Sequence, residues 1–174
     1  MAITRLNHAV LYVRDVKRSV DFYTRVLGFR VVSDMAGLSG AAFLQASGSN
    51  NDHDLGLFKI GTAAGPSMAG KQTVGLYHLA WEVDSLAELE RMAAALSEAG
   101  ALVGASDHST TKALYGADPD GIEFEVSWLV PAELITDDVR EGRTRIRPLD
   151  IAAEIARYGA DTRGGVGVSH LAVT

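Results

Sequence analysis

The sequence predicts an α+β fold made of two copies of one β-α-β-β-β module followed by a C-terminal helical tail. Three observations carry this expectation. One order of patterns runs from His8 and again from His78; each copy follows its opening strand with a capped amphipathic helix; and each closes on three short strand-like runs parted by turn residues. A chain of 174 residues suits a single domain, with modules over 5–60 and 74–130, a connection over 61–73 and an extension over 131–174.

In the first copy, His8-Ala9-Val10-Leu11-Tyr12-Val13 reads as a strand. Asp15 then caps a helix whose apolar positions Val16, Val20, Tyr23 and Leu27 keep the helical period up to Gly28. Phe29 to Val32, Ala41 to Leu44 and Leu55 to Ile60 are the three runs that follow, separated by Gly, Ser and Asn clusters. In the second copy a strand from His78 to Val83 leads into the box Ser85-x-x-Glu88, and Leu86, Leu89, Met92 and Leu96 share one helical face before Gly100. Strands over Leu102 to Gly104, Ala113 to Tyr115 and Ile122 to Trp128 complete it. His8 and His78 thus open equivalent strands, a coincidence that packing does not explain. Beyond Pro131, Asp150 caps a short helix with Ile151, Ile155 and Tyr158 on one face and Gly159 as its stop, a piece that must dock on the repeat or on a partner subunit. Arg140, Arg143, Arg145 and Arg147 read as solvated or ion-paired side chains and receive no function.

Composition narrows the chemistry. With 47% apolar and 22% charged residues the chain is of the folded globular kind, and a net charge of -6 offers no basic field for a phosphate backbone, so nucleic acid is excluded as a partner. No apolar run approaches the roughly 20 residues that span a bilayer, and the first residues lack a signal-peptide core, which predicts a cytoplasmic protein without membrane contact. The absence of cysteine leaves nitrogen and oxygen donors from His, Asp and Glu as the only side chains able to hold a metal.

Paired modules that open on His, with Asp118-Pro119-Asp120-Gly121 ahead of an acidic strand, resemble the glyoxalase, bleomycin-resistance and dioxygenase (vicinal oxygen chelate) superfamily over about residues 5 to 129. The resemblance implies curved mixed sheets around a metal site. It selects as ligands the opening His of each module and the Glu four residues after the Gly of the D-P-D-G motif, hence His8, His78 and Glu125. Glu123 lies on the same strand face by the period of 2, so spacing alone does not separate it from Glu125. Two imidazoles and one carboxylate leave adjacent positions open, as non-haem Fe(II) oxygenases require; Mn(II) accepts the same donors.

Within that superfamily the chain is most similar to single-domain extradiol ring-cleaving dioxygenases. His53-Asp54-Leu55-Gly56-Leu57 resembles the His-Asp segment before the last strand of their first module, which makes His53 the acid-base residue. Asp107-His108 and Tyr115 match a loop histidine and a tyrosine three residues ahead of the D-P-D-G motif, implied to hydrogen-bond the bound substrate oxygens. His170 is left as ordinary. The implied partners are a small aromatic diol and O2, with a homodimer as the assembly. A glyoxalase I type isomerase needs a fourth protein ligand from the last strand of the first module, where Leu55 to Ile60 offers none near its centre, so either His53 serves as that ligand or, the preferred reading, the site has three ligands and is not a glyoxalase. A fosfomycin-type transferase uses the same three ligands, but gives His53, His108 and Tyr115 no part. A metal-free antibiotic-sequestering protein, the rival from another class, has typically lost the ligand set. Phe43, Trp81, Trp128 and the tail are candidates for an apolar pocket and equally for plain core.

Overall fold

The computed structural model of the chain describes residues 2–3, 5–32, 39–69, 72–165 and 168–169; His170 lies outside them. The described residues form two compact units, 1–67 with 118–121 and 68–117 with 122–174.

In the first unit, β1 (Ala9–Val13) alternates outward Val10 and Tyr12 with buried Leu11 and Val13, the period-2 pattern of a half-buried strand. Asp15 caps α1 (Val16–Arg25) by accepting from the Arg18 N–H. Gly28, at φ 73, takes the left-handed position that ends the turn beyond it. The helix buries Tyr23 and Ser19, while Val16, Val20 and Leu27 are half-buried, so its apolar stripe is thinner than the periodicity predicts. β2 (Arg30–Val31), β3 (Ala41–Gln45) and β4 (Leu55–Lys59) complete a four-stranded sheet in the order β1-β4-β3-β2, with β1 parallel to β4 and the other pairs antiparallel. Each strand ends within one or two residues of its expected limits.

The Asp118–Gly121 turn belongs to this first unit and is held against the start of α1. Asp120 accepts from the Arg14 N–H at 2.8 Å and from the Arg14 guanidinium at 2.9 Å, and Arg18 donates to the Pro119 carbonyl at 2.9 Å. The buried Tyr23 hydroxyl donates to Asp118 at 3.3 Å, and burial followed by the Asp118 charge raises its pKa well above the ordinary phenol value. Gly121 closes the turn at φ 81, a conformation in which a side chain is strained. In this chain the D-P-D-G motif is a structural latch.

In the second unit, β5 (Leu79–Glu82) is followed by α2 (Leu86–Glu98), capped by Ser85, which accepts from the Glu88 N–H. Only half of the expected capping box forms, because the Glu88 carboxylate is drawn to Arg91 at 2.7 Å. Leu86, Leu89, Met92 and Leu96 are buried as the period predicts, together contributing roughly 6–12 kcal/mol of gross hydrophobic stabilisation at about 1.5–3 each. β6 (Leu102–Asp107) and β7 (Thr111–Ala117) extend beyond their expected spans, β8 (Glu123–Leu129) is the expected strand shifted by one residue, and the sheet order is β5-β8-β7-β6-β9. The fifth strand, β9 (Arg147–Pro148), comes from the extension, as do a 3-10 turn over Ala132–Leu134 and α3 (Asp137–Gly142). None of these three has a sequence signal strong enough to predict it. The expected tail helix is α4 (Ile151–Tyr158), capped by Asp150 and stopped by Gly159. It docks on its own module: the Tyr158 ring lies tilted against the fully buried Trp128, centroids 5.6 Å apart, and the Trp128 indole N–H donates to the Thr162 carbonyl at 3.1 Å. Trp128 is therefore core and not pocket lining. No helix among the described residues is long and apolar enough to cross a membrane.

Candidate metal centre and its polar surroundings

The first unit brings His8 and His53 together. Their rings lie 4.5 Å apart, and Phe43 meets His53 edge-on at 5.0 Å. Both imidazoles are oriented through Nδ1, that of His8 sharing a hydrogen bond with Asn7 Oδ1 at 2.7 Å and that of His53 with Asp52 Oδ2 at 2.8 Å. In each ring Nε2 is thereby left to face a ligand, the division of labour expected of a metal-binding or proton-transferring histidine. The Asp54 carboxylate is engaged away from the His53 ring. It is buried and gathers the Ala46 N–H at 2.8 Å, the Ser49 hydroxyl at 2.8 Å and the Asn51 amide at 2.7 Å, which fixes the loop that presents His53.

The second unit brings four of the expected residues onto one sheet face. His78 immediately precedes β5, and Glu125 lies on β8 directly opposite Tyr115 of β7. His78 Nε2 and Glu125 Oε2 are 3.4 Å apart, and the His78 ring is 6.0 Å from that of Tyr115. The Tyr115 hydroxyl shares a hydrogen bond of 2.8 Å with His108 Nε2. Burial, the Glu125 charge and Tyr77, in that order, raise the Tyr115 pKa, so the phenol keeps its proton at neutral pH. The ambiguity between two glutamates has a structural counterpart. Glu123 accepts a hydrogen bond from Tyr77, which is the leading cause of that tyrosine's raised pKa, whereas Glu125 faces His78.

The residues suit a metal. His78 Nε2 and Glu125 Oε2, 3.4 Å apart, are close enough for both to reach one ion. His78 Nδ1 is buried without a hydrogen-bond partner. Among the described residues no three His, Asp or Glu side chains form a group able to hold a metal; of the three expected ligands, His78 and Glu125 lie together in the second unit and His8 lies in the first.

Sequence reasoning missed Lys112. It is fully buried on β7, ion-paired with Asp107 at 2.6 Å and with Glu154 at 2.9 Å, and its ammonium lies 5.7 Å from the Tyr158 ring centroid. The signal was present: Lys112 alternates with Leu114 and Gly116 on the core face, a position where a lysine requires partners. Beginning the strand at Ala113 concealed it.

A family model for the Glyoxalase/Bleomycin resistance protein/Dioxygenase superfamily matches residues 5–126. The chain belongs to that superfamily. Its sequence is 32% identical over 123 residues to a catechol-2,3-dioxygenase of Bacillus subtilis (strain 168), an alignment covering 71% of this chain and 41% of the relative. The chain thus spans about two fifths of that curated relative. A glyoxylase/bleomycin resistance protein/dioxygenase domain from Frankia sp. EAN1pec superposes with a TM-score of 0.59 at 22% identity, covering 72% of this chain and 92% of that one. The fosfomycin resistance protein FosX from Listeria monocytogenes does so with a TM-score of 0.54 at 16% identity, covering 72% and 93%. Both likenesses carry the fold alone. The superfamily match ends inside β8, so α3, β9 and α4 lie outside the matched residues.

Proposed function

We propose that the protein is an Fe(II)-dependent extradiol dioxygenase, with His8, His78 and Glu125 holding the metal and Mn(II) as the alternative ion. The observation that carries this reading is the single face of the second sheet on which the His78 and Glu125 pair adjoins Tyr115 and its hydrogen bond to His108. An isomerase or a transferase of the same superfamily has no stated use for that second pair. The catechol-2,3-dioxygenase relative supports the same choice.

Strand register supports a three-residue ligand set. Glu125 lies opposite Ala80, two residues after His78, and the equivalent residue of the first module, opposite Val10 and two residues after His8, is Gly56. The last strand of the first module has a glycine where the second module has its carboxylate, so the fourth ligand of a glyoxalase I type site is missing there.

A bound metal supplies Lewis acidity and a common point of attachment for diol and O2. His53, held through Nδ1 by Asp52 with Nε2 free, takes the proton of the second diol hydroxyl and returns it as the ring opens. Tyr115 stays protonated and, with His108, donates to the developing negative charge on the substrate oxygens. Phe43 limits the motion of His53 by edge contact.

Oxygen uptake by anaerobically Fe(II)-loaded protein with a panel of catechols tests the proposal, with the visible absorbance of the product followed in the same cuvette. Uptake with a yellow product is expected. Iron-loaded protein that consumes no oxygen with any catechol overturns the dioxygenase reading and points to isomerase or sequestering chemistry.

A further inference from the structure

The C-terminal extension does more than cover the second module, because three of its elements reach the segment that carries His108. That segment is strained. Ser109, which follows His108, is the only non-glycine among the described residues with a positive φ, at 69, a conformation that a side-chain-bearing residue keeps only when its surroundings impose it.

The restraints come from both sides. The Ser109 N–H donates to Asp107 Oδ1 at 2.7 Å, and the buried Ser109 hydroxyl donates to the Val139 carbonyl of α3 at 2.7 Å. The Ser109 side chain also lies where any Cβ at Gly142 of α3 would sit, so the two elements meet closely only because residue 142 is glycine. Asp107 Oδ1 also accepts from Lys112 Nζ, and Lys112 is ion-paired on its other side with Glu154 Oε2 of α4 at 2.9 Å, a charge contact without hydrogen-bond alignment. β9 pairs with β6 at Arg147 opposite Asp107. A chain of charged contacts therefore runs from Glu154 through Lys112 and Asp107 to the backbone that aims His108 at Tyr115.

A buried ion triad of this kind is poor value as a source of stability, since desolvation cancels most of the attraction, whereas it fixes one geometry closely. The geometry points to Lys112, Glu154 and Ser109 as positioning residues through which the extension holds His108 in hydrogen-bond contact with Tyr115. The inference rests on the proposed dioxygenase function only for its effect on turnover; the effect on the His108 ring is independent of it.

Glu154→Gln removes one charge and keeps the shape. In the protein without added metal, the 15N chemical shifts of the His108 imidazole report its contact with Tyr115; Glu154→Gln is expected to move them toward those of a Tyr115→Phe reference, and Glu154→Asp to restore them in part. Turnover of the iron-loaded Glu154→Gln protein is expected to fall about 10-fold in kcat with KM little changed, the size typical of losing an orienting partner. Should Glu154→Gln not fold, Ser109→Ala, which cuts the α3 tie alone, is read in the same way. Unaltered His108 shifts in a folded variant of either kind overturn the inference. Shifted His108 signals with wild-type turnover uphold the positioning role and count against His108 as a catalytic residue.

Discussion

The two modules share an element order, yet they divide the chemistry unequally. At equivalent register the first has Gly56 and the second Glu125. The first has a short β2 and four strands; the second has a six-residue β6 and gains a fifth strand from the extension. The first orients its two histidines through adjacent side chains, Asn7 and Asp52, whereas the second leaves His78 Nδ1 without a partner and ties His108 to Tyr115. A repeat duplicates the scaffold because the same alternation buries the same faces, but the open face of each sheet is free to diverge. That divergence places a carboxylate, Glu125, on one module at the register where the other has Gly56, and under the proposed function it separates a metal donor from an acid-base histidine.

The largest expected effect of breaking this asymmetry comes from Glu125→Ala. Loss of a carboxylate donor should cost at least about 100-fold in metal affinity, more than the loss of an orienting partner, and with it all oxygen uptake. Metal content after dialysis measures it; wild-type content would shift the ligand role to Glu123.

His53→Ala attacks the contribution of the other module. The metal should stay bound while kcat falls about 100-fold or more, as for removal of a general acid-base group. Full turnover in that variant, measured by oxygen electrode, dismisses the acid-base role and leaves the metal assignment untouched.

Much of this organisation was legible in the sequence. The caps at Asp15, Ser85 and Asp150 declare helices locally, and alternation declares β1 and β8, since in both cases the signal lies within one element. His108 and Tyr115 were each singled out by position; the structure puts His108 in the turn between β6 and β7 and Tyr115 within β7, and joins them by a hydrogen bond that neither position declares alone. What escaped depends on long-range partners. The alternation marks Lys112 as a buried lysine in need of partners, but not that one of them is Glu154, 42 positions later, brought to it by α4; β9 is two residues long, with its pairing decided by β6 and not by its own pattern. The role of Asp54 likewise escaped: the sequence shows it only as the neighbour of His53, and its loop-fixing contacts with Ala46, Ser49 and Asn51 appear only once the loop is folded.

A smaller effect separates the modules by pH. Burial acts to raise the Asp107 pKa, but the Lys112 hydrogen bond, the Ser109 N–H and the charges of Lys112 and Arg147 outweigh it and leave the pKa lowered. A carboxyl with a folded value below its unfolded one, near 3.9, stabilises the fold fully above that pH and loses this contribution as the pH falls through the folded value. Asp107→Asn should therefore weaken the fall in stability below about pH 4 and leave the profile above pH 5 parallel to that of the parent. Denaturant midpoints across that range measure it, and an unchanged acid limb would locate the acid sensitivity elsewhere.

Gly56→Ala should have the smallest effect and gives the sharpest control on the comparison with Glu125. An added Cβ would meet Val10 Cγ2 at 3.3 Å and the Phe43 ring at 3.5 Å, so the neighbours need give way only by tenths of an ångström. Stability should change by less than about 1 kcal/mol, since relief of the glycine's backbone entropy opposes the slight crowding. Metal affinity should be unaltered, because the position contributes no donor. If alanine at this one site weakened metal binding as severely as alanine at position 125, the two modules would share the ligand role more evenly than their register implies, and the three-residue site would have to be redrawn around β4.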